Sequence, residues 1–187
     1  TTADAPGTVL YQTKDGGNSW AAQPLPQPTE DNVPTDLFTN PAYSCELSVP
    51  TFVDINYQYA WAKLVCSGGN LKEPVGFVYW TYDNGASWHE YKLPTADGHL
   101  TFYGIYQGWY SVFNEGGDPM LPYQILSTQN GGETWETIAN TAWDSRLQFI
   151  APTVGFGIVE FQGRPAFVKS TDGGYNWNQS FPMVSPD

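Results

Sequence analysis

The chain of 187 residues is poor in cations, with only 7 Lys and Arg against 19 Asp and Glu, for a formal charge of −12. Nucleic-acid binding asks for a basic stripe, and none exists. The same shortage disfavours adsorption to an anionic membrane surface. No apolar run approaches the length of a membrane span, so membrane insertion is not expected. Only two cysteines, two histidines and two arginines are present. A zinc ligand set, a Gly-x-Ser-x-Gly elbow and an activated thiol are all missing from the sequence. No window carries a helical apolar stripe of useful length.

What is abundant is different. Aromatic residues make up 16% of the chain, with 8 Trp and 12 Tyr, alongside 19 Gly and 15 Pro. This composition predicts short aromatic strands joined by frequent turns. Cys45 and Cys66 are either two buried free thiols or a disulfide. The scarcity of Lys, with many Thr, Asn, Gln and aromatic residues, favours the disulfide and an oxidising, secreted or cell-surface setting. The opening TTADAPG reads as a flexible leader, and no apolar signal segment precedes it, so a secreted protein is expected here in mature or trimmed form.

A repeat organises the chain. Four segments fit [ST]-x-[DN]-x-G-x-x-W: Thr13–Trp20, Thr81–Trp88, Thr128–Trp135 and Ser170–Trp177. They place Asp15, Asp83, Asn130 and Asp172 at the third position and Gly17, Gly85, Gly132 and Gly174 at the fifth. Their Trp residues are 68, 47 and 42 positions apart. Each follows a strand-like run (Thr8–Tyr11, Gly76–Trp80, Tyr123–Leu126, Ala166–Lys169) and precedes a polar strand-like one, as in His89–Lys92. The motif therefore reads as a hairpin turn. Its hydroxyl and carboxyl or amide oxygens accept the turn's own N–H groups. Its Gly takes a positive φ, and its Trp opens the outgoing strand and buries a large ring.

Two further strand candidates precede each of the last three turns: Ser48–Val53 and Tyr59–Val65, Thr101–Tyr103 and Gly108–Phe113, Leu147–Ile150 and Gly155–Val159. Four strands per unit of about 40 to 47 residues is the dimension of a propeller blade. The motif, together with the phrases FVDINYQYAW and LQFIAPTVGFGIVEFQGRPAFVKSTDGGYNW, resembles the Asp-box or bacterial neuraminidase (BNR) repeat of β-propellers. The likeness extends to photosystem II assembly-factor-type propellers and covers nearly the whole chain outside the Pro-rich segment. It implies an all-β propeller of four-stranded antiparallel blades, about 3.5 to 4 in this chain. The boundaries are a partial first blade over 1–22, a Pro-rich insertion over 23–44, and blades over 45–93, 94–140 and 141–187. Five Pro between Pro24 and Pro41 forbid a central strand in the insertion, which is either an ordered binding loop or a tethered connection.

The first unit has room for one strand before Thr13. Three readings follow: a fragment of a larger propeller, a small ring closing on an incomplete blade, or strands supplied by another chain. An open blade edge invites such pairing or self-association.

Such repeats occur in sialidases, glycoside hydrolases, sorting receptors and assembly factors. Sialidases of this fold use an arginine cluster, whereas only Arg146 and Arg164 occur here. Assembly-factor relatives bind a membrane-protein partner through an Arg-rich patch, which the chain also lacks. A glycosidase would need two opposed carboxylates. Asp54, Asp97, Glu115, Asp118, Asp144 and Glu160 are candidates, and none lies in an assignable motif. No organic cofactor is implied. A structural calcium ion would draw on Asn114–Pro119 or Thr95–Leu100, although neither matches a spaced calcium loop. Tyr57, Tyr59, Trp61, Tyr103, Tyr106, Trp109 and Tyr110 form a candidate aromatic platform for a glycan or a protein partner, with blade packing as the alternative role. The sequence thus points to a non-catalytic propeller serving protein interaction, adhesion or assembly. The alternatives are a carbohydrate-active propeller, as a glycan-binding module or a hydrolase, and a structural subunit of a sheath or filament.

Overall fold

A computed structural model describes residues 9–30, 32–54, 56, 58–161 and 163–181. Among these residues there is no helix, and the strands form four antiparallel sheets of two to five strands. The chain divides into two compact units, Thr1–Ala96 and Asp97–Asp187.

In the first unit, β1 (Val9–Gln12) and β2 (Ala21–Pro24) form a two-stranded sheet around the first repeat turn. A second sheet runs β3 (Tyr43–Leu47), β5 (Ala60–Gly68), β6 (Val75–Thr81), β7 (His89–Lys92), with β4 (Thr51–Phe52) also paired to β5. The expected strand over Ser48–Val53 is corrected by this arrangement. The edge strand starts earlier, inside the expected Pro-rich insertion, and is broken into β3 and β4. Pro50 has no N–H to give a ladder. At the break Ser48 pairs by other means, its N–H donating to the Lys63 carbonyl (2.8 Å) and its hydroxyl accepting the Lys63 N–H (2.9 Å). Cys45 and Cys66 face each other across β3 and β5 and are joined in a disulfide.

The Pro-rich segment is docked on this sheet. Leu25 and Leu37 are buried with Leu64, Cys66, Phe77 and Tyr79. Tyr79 donates its hydroxyl to the Pro26 carbonyl at 2.8 Å, and burial pushes that phenol well above its ordinary range. Proline carbonyls remain full acceptors, so a segment unable to join a ladder still satisfies the polar groups it covers.

In the second unit, β8 (His99–Tyr103), β9 (Gln107–Phe113), β10 (Tyr123–Thr128) and β11 (Glu136–Thr141) pair in chain order. So do β12 (Gln148–Phe149), β13 (Gly155–Phe161), β14 (Arg164–Ser170) and β15 (Asn178–Ser180). The expected first strand of this last group, Leu147–Ile150, shortens to two residues. A core of Trp109, Ile125, Trp143, Leu147, Phe149, Val159, Ala166 and Val168 joins the two sheets. β13 and β14 alternate between buried and exposed residues. Their buried face carries Val159, Ala166 and Val168, while the cross-strand pair Ile158 and Phe167 stays 66% and 51% exposed.

Candidate functional site

The four repeat turns are built alike, and their geometry determines what their acidic side chains can do. The first hydroxyl accepts the N–H of the glycine four residues on: Gly17 to Thr13 (2.8 Å), Gly85 to Thr81 (2.8 Å), Gly132 to Thr128 (3.0 Å), Gly174 to Ser170 (2.8 Å). The same hydroxyl donates to the Asp or Asn side chain two residues on, at 2.8–3.0 Å. That side chain accepts the N–H of Ser19, Ser87, Thr134 or Asn176. Two successive residues in each turn have positive φ, Gly16–Gly17, Asn84–Gly85, Gly131–Gly132 and Gly173–Gly174. That conformation explains the glycine at the fifth position, where φ runs from 82° to 103°.

The aspartates are therefore consumed by their own hairpins. Hydrogen bonds from the Ser19 hydroxyl and N–H, then from Thr13, hold the Asp15 carboxyl down to about 2. Asp83 is lowered chiefly by Ser87, and Asp172 by Asn176. A carboxylate held ionised in this way is a poor general acid. Asn130 performs the same task without charge, its amide donating to Thr134 at 2.9 Å.

Each of the last three turns is also tied to its own sheet. Asn84, Gly131 and Gly173 donate their N–H groups to the carbonyls of Gln58, Tyr106 and Thr153, each just ahead of a sheet's second strand (2.8–3.0 Å). The first turn has no such strand among the described residues.

The repeat tryptophans diverge. Trp135 and Trp177 fold back and donate to the carbonyls of Gly132 and Gly174, at 3.0 and 2.9 Å. The Trp88 indole N–H is buried with no hydrogen-bond partner. Trp20 is 59% exposed, which corrects the expectation that every repeat Trp buries its ring. Among the described residues its sheet consists of β1 and β2 alone.

The seven platform aromatics do not share one role. Tyr57 lies outside the described residues. Trp61, Trp109 and Tyr110 are core side chains, with Trp109 and Tyr110 fully buried. Trp109 stacks on Phe149 with ring centres 3.4 Å apart and donates its indole N–H to the Gly173 carbonyl at 2.7 Å. Tyr110 donates to the Asp97 carbonyl, and burial raises its phenol. These three therefore pack the sheets and show no face to a ligand. Tyr59 is half-buried and meets Tyr82 edge-on at 6.2 Å. Tyr103 and Tyr106 remain at the surface, 41% and 63% exposed.

One cluster was not legible as a group. Asp144 accepts the hydroxyl of buried Ser111 (3.2 Å) and lies 3.5 Å from His99 Nε2. Here the carboxylate sits between serine and histidine. A nucleophilic relay needs the histidine in the middle, so this cluster fastens β8 and β9 to the segment ahead of β12. The expected calcium segment Asn114–Pro119 closes on itself, with Asp118 accepting the Met120 N–H at 2.8 Å. Among the described residues no three His, Cys, Asp or Glu side chains converge.

Among the described residues the first unit carries concavities at two places. An open cleft of about 760 Å³ runs between the Val33–Pro34 loop, the Asn70–Val75 turn and the Lys92–Ala96 segment. A smaller, mostly apolar pocket of about 120 Å³ lies between β1 and β4, with Leu10, Tyr11, Gln12, Phe52, Ala60 and Trp88 among its walls. Sequence reading missed both, because each is made of segments far apart in the chain. No protein-family model matches the chain, and no curated protein matches it.

Proposed function

We propose that the chain is a non-catalytic, extracytoplasmic Asp-box β-propeller domain, or part of one, that serves protein–protein interaction, adhesion or assembly. Four-stranded antiparallel meanders repeating at blade length support the propeller reading. So do the repeat turns, whose hydrogen bonds recur position by position. The Cys45–Cys66 disulfide supports the extracytoplasmic setting, and no helix among the described residues is long and apolar enough to cross a membrane.

The observation that carries the interaction role is the first sheet. Among the described residues it holds two strands and exposes Tyr11 at 63% and Trp20 at 59%. Unpaired strand edges flanked by exposed aromatics are sites where other chains add. A glycan array combined with a hydrolysis screen tests the reading. No oligosaccharide is expected to be turned over, and cleavage abolished by a single carboxylate substitution would refute it. The glycan-binding alternative rests on exposed Tyr103 and Tyr106, and array binding lost in Tyr106→Ala would favour it. Assembly into a sheath or filament predicts a solution mass that rises with concentration.

A further inference from the structure

The hairpin between β9 and β10 spans residues 114–122, includes the expected calcium segment, and is held by its own hydrogen bonds. The Asn114 N–H donates to the Pro122 carbonyl at 2.8 Å, the Gly117 N–H to that of Asn114 at 3.1 Å and the Leu121 N–H to that of Asp118 at 2.9 Å. Asp118 also accepts the Met120 N–H on its carboxylate at 2.8 Å. Gly116 takes a φ of 82°, and a Cβ on Gly117 would collide with the side-chain amide of Asn114. The Asn114 side chain therefore folds over Gly117, and the polar groups of the loop are turned on one another.

The apolar side chains of the same loop are left in solvent. Met120 is 77% exposed, Leu121 38% and, at the foot of the loop, Phe113 59%. Phe113 pairs with Tyr123 across the two strands, and their rings meet edge-on at 5.7 Å, so apolar surface continues from the loop to the strand ends. The hairpin at the same place in the first unit behaves differently. Between β5 and β6 the large apolar residue is Leu71, and it packs against the core that holds Leu64 and Phe77. Met120 and Leu121 have no such cover. A contiguous exposed apolar patch marks an interaction site, and the unbranched methionine side chain adapts to the surface it meets. A loop already fixed by its own bonds also loses little entropy on docking. Glu115 and Asp118 are exposed beside the patch, and among the described residues neither has a cationic partner.

We propose that Phe113, Met120 and Leu121 form the contact point for a protein partner whose surface carries an apolar groove bordered by Lys or Arg. The aliphatic tip enters the groove, and Glu115 and Asp118 pair with its basic rim. The inference rests on the protein-interaction reading above and supplies the chemistry of the partner, at a place independent of the first sheet. Charge selects that partner. The formal charge of −12 and the two loop carboxylates repel an anionic membrane surface and favour a basic protein. A glycan or other small ligand is held in a concave site, whereas this loop presents its side chains to solvent.

The test titrates the full chain with a synthetic amphipathic helix of Leu and Lys, whose apolar stripe is bordered by Lys. A peptide of the same composition, scrambled so that no stripe forms, is the control for charge alone. Saturable binding of the amphipathic peptide is expected, with amide shifts confined to residues 113–123. The scrambled peptide should bind about tenfold more weakly, as loss of a central apolar contact does. In the chain, Met120→Ser with Leu121→Ser should weaken binding by a similar factor and leave the urea midpoint unchanged, since both side chains are exposed. Glu115→Gln with Asp118→Asn, which keeps an acceptor for the Met120 N–H, should weaken binding several-fold and flatten its salt dependence. The two peptides decide the matter on the unaltered chain even if a loop variant fails to fold. Equal binding of the two peptides, unchanged loop amides, or full binding by the Met120→Ser, Leu121→Ser chain would overturn the site. Binding of phosphatidylcholine vesicles through the same residues, or a dimer of the free chain that these substitutions dissolve, would overturn the partner assignment. A peptide bound only at β1 and β2 would defeat this inference and leave the interaction reading intact, whereas glycan hydrolysis would defeat that reading.

Discussion

Because the repeat turns share one set of hydrogen bonds but differ in burial, a single substitution made at the three that begin with Thr measures what burial contributes. The perturbation is loss of the first hydroxyl, with Thr→Val keeping the shape of the side chain. At Thr128, 2% exposed, the hydroxyl accepts the N–H of buried Gly132 and donates to Asn130. Valine leaves that N–H without an acceptor and out of reach of water. A buried orphan donor costs about 1–3 kcal/mol, and the Asn130 oxygen loses a donor as well. Thr128→Val should therefore cost about 2–3 kcal/mol, which lowers Tm by roughly 5–10 °C in a chain of this size. At Thr13 the same bonds exist, with Gly17 N–H at 2.8 Å, but the turn is exposed. Water replaces the lost partner, so Thr13→Val should cost less than about 1 kcal/mol. Thr81→Val belongs between them, since its Gly85 is only half-buried. Urea unfolding ranks the variants, and exchange of the Gly17, Gly85 and Gly132 amides localises the effect. Equal losses at Thr13 and Thr128 would refute the argument, because the cost would then lie in turn geometry and not in desolvation.

Acid should loosen three turns and spare one. Folded pKa values lie below the ordinary value of 3.8 for Asp15, Asp83 and Asp172. Their contribution is thus complete above that pH and is lost as pH falls, through about 2 at Asp15. The Ser19, Ser87 and Asn176 amide shifts should titrate in this window while Thr134, bonded to uncharged Asn130, stays flat. Replacing both Cys45 and Cys66 by Ala should lower stability by about 3 kcal/mol from loop entropy, read as a shift in urea midpoint that reductant reproduces in the parent protein. Trp109→Phe keeps the stack on Phe149 but orphans the Gly173 carbonyl, so a cost of about 1–3 kcal/mol is expected. Near-zero loss in unfolding measurements would mean that water reaches that carbonyl.

Much of the local structure was legible because it depends on neighbours in the chain. A hydroxyl, a carboxyl or amide, a glycine and a tryptophan at fixed offsets close the same hairpin four times, and the glycine is needed wherever φ turns positive. The strand edges were less legible. Ser48–Val53 has strand-like residues, yet Pro50 and the cross-strand pairing of Cys45 with Cys66 move the edge strand back to Tyr43–Leu47. The aromatic platform misled for a related reason. Trp109 and Tyr103 look equally available in the sequence, and only the neighbouring sheet shows that one is sealed and the other exposed.

By itself, then, the sequence determined the all-β class and the four repeat turns. Both follow from short-range periodicity and turn chemistry. Only the tertiary structure decided which of four like tryptophans is half-buried and which exposed, and which of them bonds its own turn. It alone brought β1 and β4 to the two sides of one pocket. Burial and pairing between segments tens of residues apart depend on which surfaces meet, and no local spacing records that.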